Sequence, residues 1–74
     1  MTKWEYCNRF DFQDLNRAGF IPFTEYRNHE LYSKYNAFLI CGVERKEARR
    51  RVQPENISRS QFFRIIKDQE RQIK

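Results

Sequence analysis

Pro54 cuts the last third of this chain into two helical segments, and that break restricts the fold more than any other residue does. The chain runs Glu44-Arg45-Lys46-Glu47-Ala48-Arg49-Arg50-Arg51-Val52, meets Gln53-Pro54-Glu55-Asn56, and resumes as Ile57-Ser58-Arg59-Ser60-Gln61-Phe62-Phe63-Arg64-Ile65-Ile66-Lys67. Proline lacks the amide donor that a helix interior needs and disfavours helical geometry at the residue before it. One helix must therefore stop near Gln53. The next has the strongest start signal in the chain. Ser58 can cap the first turn while Gln61 reaches back to the amide of Ser58, a capping box. Ile57 before the cap and Phe62 at the fourth helical position have the spacing of a hydrophobic staple. Phe62, Ile65, Ile66 and Ile73 form the expected buried stripe, with Phe63 at its edge. Arg59, Arg64, Lys67 and Arg71 are expected to face water or a partner, and the polar end from Asp68 to Lys74 to fray.

Upstream, Ala48 and Val52 stand four apart on one side of the basic segment, and arginines and Lys46 cover the others. Leu31, Tyr35, Phe38 and Leu39 mark one face of a long helix over 29–41, capped by Thr24 or Asn28 and ended by Gly42. Asp11 can cap a short helix running to about Ala18, with Gly19 as its stop. Phe20-Ile21-Pro22-Phe23 reads as an extended connector whose apolar side chains pack down on the domain. Trp4, Tyr6, Phe10 and Phe12 share one parity, which suggests a strand or extended arm, with a helix over the same residues as the alternative.

The expectation is a mainly α fold. A three-helix bundle of helix-turn-helix type covers 29–74, with helices near 29–41, 44–53 and 58–71. An aromatic arm and short extra helix in 1–28 pack against it. With 74 residues there is one domain and one marginal core. The 12 aromatics are therefore expected to be used mostly inside it. Cys7 and Cys41 read as free, buried thiols. No apolar run is long enough to span a membrane and no charged-then-apolar leader opens the chain, so a cytoplasmic setting is expected.

Charge is unevenly spread. Residues 1–30 hold four basic and five acidic groups, a net of −1, and residues 31–74 hold eleven and five, a net of +6. Such asymmetry suggests a directed electrostatic surface, for which nucleic acid is the commonest partner; a solvated helical face is the alternative. The stretch from Tyr35 to Lys67 resembles the helix-turn-helix of small bacterial and phage regulators. The resemblance rests on Ala48, Val52, Ile57, Ser58-Arg59-Ser60, Phe63 and Ile66 and covers under half the chain. Ala48 and Ile57 are nine apart with Pro54 between them, so the turn is longer than in the compact form of that motif.

What the resemblance implies is transcription regulation by binding double-stranded DNA through the basic face of residues 45–71. Ser58, Arg59, Ser60 and Gln61 open the second helix, where they would reach base edges. Arg64 and Lys67 would reach phosphates further along. Arg45, Lys46, Arg49 and Arg50 would hold the backbone and set orientation. Ser58 and Gln61 also have a purely structural reading, as caps.

The second reading resembles small phage proteins that bind the host RNA polymerase. There Trp4, Tyr6, Phe10 and Phe12 would form the contact surface, and the arginine-rich helix would face an acidic protein surface or RNA. Against it, Trp4 can simply close the core. A dimer would suit so small a DNA-binding motif, with Phe63 and Ile73 as the candidate seam.

Nothing suggests an enzyme, a cofactor or a small-molecule substrate. His29 is the lone histidine, expected at the surface without a catalytic partner. Cys7, His29 and Cys41 lack the paired spacing of a zinc site. Gly19 and Gly42 make no phosphate loop. Asp11 and Asp14, three apart, fit a helix start that complements its dipole.

Overall fold

Helix placement follows from where each segment can satisfy its ends and hide its apolar face. The computed structural model describes residues 1–73. Its helices are α1 (Lys3–Cys7), α2 (Phe12–Arg17), α3 (Phe23–Ile40), α4 (Arg45–Val52) and α5 (Arg59–Gln69). There is no strand among the described residues, and the fold is a small helical bundle. The long helix α3 is its axis, because it packs against each of the other four, while α4 and α5 lie on α3 far more than on one another.

The core is built where the apolar periodicity is clearest. Leu31, Tyr32 and Tyr35 of α3, Ala48 and Val52 of α4, Ile57 in the turn, and Phe62, Ile65 and Ile66 of α5 form one buried cluster. Trp4, Phe38, Leu39 and Val43 pack on its edge. Pro54 stops α4, and the turn after it is pinned by hydrogen bonds from the Gln53 Nε2 to the Ile57 carbonyl (3.0 Å) and from the Ile57 amide to the Pro54 carbonyl (3.3 Å). The capping box at Ser58 forms in full: its hydroxyl accepts from the Gln61 amide, and the Gln61 side chain accepts from the Ser58 amide. Asp11 caps α2 by accepting from the Asp14 amide. Gly19 and Gly42 take positive φ angles of 81° and 91°, the left-handed stops that the helices before them need.

Several expectations are corrected. The N-terminal segment takes the helical alternative, over Lys3–Cys7, in place of a strand or extended arm. Thr2 and Glu5 build a second capping box around the first turn of α1, a Thr-x-x-Glu signal that outweighs the period-two alternation of its aromatics. Helix α3 begins six residues before the expected position 29, with Pro22 at its cap and no side-chain cap bond, so both expected caps, Thr24 and Asn28, fall inside the helix. Phe20 and Phe23 do not pack down: they are 78 % and 64 % exposed. Only three of the aromatics, Tyr32, Tyr35 and Phe62, are buried, so most are not core. Both cysteines are free thiols, but Cys7 is half-buried and Cys41 exposed.

Residues 71–73 are paired instead of frayed, and Lys74 lies outside the described residues. The Ile73 amide donates to the Met1 carbonyl, the Lys3 amide donates to the Arg71 carbonyl (both 2.8 Å), and Thr2 bridges Gln72. Ile73 thereby leaves the α5 stripe, which ends instead on the buried side chain of Gln69. No helix of the described residues is long and apolar enough to cross a membrane.

His29 is not at the surface. It is buried between helices, its Nε2 2.9 Å from the Asn8 Oδ1 and its ring 4.7 Å from that of Phe12. Burial lowers its pKa below the ordinary histidine value. Trp4 does close the core: its Nε1 donates to the Ser33 Oγ at 2.8 Å, and its ring meets Tyr32 edge-on at 5.4 Å.

Candidate nucleic-acid interface

Six basic residues of α4 and the start of α5 divide into three groups once their partners are known. The first group is structural. Arg45 reaches across to the Tyr35 hydroxyl and to the Glu70 carboxylate, each at 3.5 Å, and the same carboxylate accepts from the Tyr32 hydroxyl at 3.0 Å. Burial first, and then the Glu70 carboxylate, push the Tyr32 phenol up from its ordinary pKa. This cluster ties α3, the start of α4 and the end of α5 together. Arg45 is therefore partly committed to the fold, although most of its side chain is open to solvent.

Arg50 and Arg51 share Glu47, three and four residues earlier on the same helix. Their hydrogen bonds, Arg50 before Arg51, pull the Glu47 carboxyl down to about 2. One carboxylate thus offsets part of the charge of two arginines, and the Arg50 and Arg51 side chains remain largely exposed.

The third group gathers around Phe63. The Arg49 guanidinium lies 4.6 Å and that of Arg59 5.7 Å from the centre of the Phe63 ring. Arg59 and Phe63 are four apart on α5 and so share a side of it. Arg49 arrives from α4. These residues, with Lys46, Arg50 and Gln53, border a groove of about 310 Å³ between the two helices, floored by Phe62 and Phe63. Among the described residues, neither Lys46, Arg49 nor Arg59 has a carboxylate within ion-pair distance. Glu44 and Glu47 stand on the same rim.

The expected footprint is thus only partly assembled. Lys46, Arg49, Arg50 and Arg59 converge. Arg64 lies roughly 140° around α5 from Arg59 at about 100° per residue, and with Gln61 it borders a second hollow beside Arg27, Asn56 and Ile57. Ser60 and Lys67 are exposed on α5. Ser58 and Gln61 are occupied with each other in the capping box. Sequence reasoning left Phe63 and Gln53 outside the site. The four-residue spacing of Arg59 and Phe63 was available as a signal, but the approach of Arg49 depends on how α4 is laid on α3.

Of the aromatic arm, Trp4 and Phe12 face α3 and only Tyr6 and Phe10 are exposed, their rings 5.7 Å apart with Arg9 over Tyr6. No family model matches this chain, and no curated protein or solved structure is significantly similar to it. The site is therefore read from its own chemistry. Among the described residues no group of three or more His, Cys, Asp or Glu side chains is placed to hold a metal ion.

Proposed function

We propose that the chain is a transcription regulator that binds nucleic acid, with duplex DNA as its target, through the cationic face of α4 and the start of α5. The convergence of Lys46, Arg49 and Arg59 on one groove, without paired carboxylates, carries this reading. Guanidinium and ammonium groups held this way meet phosphates and set orientation without reading sequence. The engagement of Ser58 and Gln61 in a cap argues for backbone contacts over base contacts at the helix start. Arg64 turns away from this groove toward the second hollow, and Lys67 is exposed further along α5, so neither belongs to the convergent set.

Binding of this type falls steeply with salt, by close to 0.9 units of log K per unit of log salt for each phosphate neutralised. Fluorescence anisotropy with a labelled duplex should show that dependence, and Arg49→Ala should reduce the slope by about one unit. A protein that shifts no duplex even at low salt is not a DNA-binding regulator.

The second reading, docking on RNA polymerase, draws on the exposed pair Tyr6 and Phe10, since exposed aromatics beside an arginine are favoured interface anchors. Polymerase subunits captured from a nuclease-treated bacterial lysate, and lost with Phe10→Ser, would favour it over DNA.

A further inference from the structure

We propose that the groove between α4 and α5 receives an unpaired nucleotide, its base on Phe63 and its flanking phosphates on Lys46, Arg49 and Arg59. This rests on the nucleic-acid reading above and departs from its duplex target: the same face takes an unpaired strand in preference to a duplex. Three features separate it from simple attraction to a duplex.

The cations border a hollow, not a flat or convex surface. A duplex offers phosphates on its outside and keeps the faces of its bases stacked, so an aromatic ring inside a groove has nothing to meet. An unpaired base has a free face, and stacking on an aromatic side chain beside a basic track is how single strands are held without strong sequence preference. The groove, at about 310 Å³, has room for one base but not for a helix.

The ring is already set among cations. Phe63 is half-buried, so its position is fixed by the fold. Arg49 is also half-buried and stands closest to the ring, at 4.6 Å. Arg59 is exposed and further away, at 5.7 Å. A base can take the place of the Arg59 guanidinium on the ring, and the freed guanidinium then meets the adjoining phosphate.

The rim supplies one fixed polar edge and one opposing charge. The Gln53 side chain is held by its hydrogen bond to the Ile57 carbonyl, which presents an amide at the end of the groove. Glu47 is occupied by Arg50 and Arg51. Glu44 caps nothing with its side chain and lies where a phosphate would pass.

The test uses the whole chain at one low salt concentration with three labelled probes of equal length: oligothymidine, oligouridine and a DNA duplex. Either or both single strands should bind more tightly than the duplex, and the two arms separate DNA from RNA as the source of the unpaired base. Phe63→Leu should weaken single-strand binding about ten-fold, the size of one lost base–aromatic stack, and leave duplex binding nearly unchanged. Phe63→Tyr, which keeps a ring, should retain it, and a melting curve for each variant checks that the fold survives. Glu44→Gln should tighten all three probes. Duplex binding as tight as single-strand binding, or an equal loss on all probes with Phe63→Leu, overturns the unpaired-base inference and leaves the nucleic-acid reading standing. Failure to bind any probe overturns both.

Discussion

Residues 1–22 and residues 31–69 each contain five aromatic rings, yet the two regions use them differently. In 31–69 three rings are buried, and they sit with the aliphatic side chains of one continuous core. In 1–22 none is buried, and Phe20 stands almost free in solvent. The N-terminal region is attached by directional contacts instead: Trp4 to Ser33, His29 to Asn8, and Lys3 to Glu25 and Asp68. Aromatic content alone does not make a core. A ring is buried when its helix has a partner on that side, and α3 offers its apolar face chiefly to α4 and α5.

The sharpest break in this contrast should come from Phe62, which is 1 % exposed. Phe62→Ala removes a fully buried ring and leaves a cavity, a loss of about 3–5 kcal/mol. A chain of this length has a total stability on the order of 4–11 kcal/mol, so thermal melting should show a domain at or near its limit. The same truncation at Phe20 should leave the melting curve nearly unmoved.

The two capping boxes give a matched pair with smaller effects. Ser58→Ala removes the cap of an 11-residue helix that carries four buried side chains and should cost about 1 kcal/mol. Thr2→Ala removes the same chemistry from a 5-residue helix that buries none. The global melt should register it by a few tenths of a kcal/mol at most, because that helix can loosen without the core. Equal effects at the two sites would mean that the N-terminal region unfolds together with the core.

The least effect on overall stability should come from acid. Burial lowers the pKa of His29 in the folded chain, so the unfolded chain takes up the proton first. The contribution of neutral His29 is complete above the ordinary histidine pKa and declines as pH falls below about 6.5. The groups facing the ring are Asn8, Phe12 and Trp4, together with the Glu30 carboxylate 4.0 Å from Nδ1, which partly opposes the loss. Hydrogen exchange at pH 5 should show residues 3–17 losing protection relative to pH 7 while α5 keeps its own, and His29→Gln should flatten the difference.

Legibility in the sequence follows the same division. The limits of α4 and α5, the caps at Asp11 and Ser58, the stops at Gly19 and Gly42, and the inward set Ala48, Val52, Phe62, Ile65 and Ile66 all depend on neighbours within a few positions. Those were readable. The early start of α3 was not, because Phe20 and Phe23 look like core residues and turn out exposed. His29 and Gln69 were not either: polar side chains become buried only through elements distant in the chain, as Asn8 does for His29 from 21 positions away. In the basic face, charge was readable but pairing was not. Nothing in the residue order separates Arg45, committed to Glu70, from Arg49, free to stand over Phe63.

The pairing of Met1 with Ile73, and of Lys3 with Arg71, closes a loop made of nearly the whole chain. Closing so long a loop carries the largest entropic penalty of any contact here and stabilises little else, so these ends should meet last in folding and part first. They also lie side by side. A short covalent tie between them would turn the chain into a ring without displacing a helix, and the exposed Gly19–Phe20 bend would then be a natural place to open new ends.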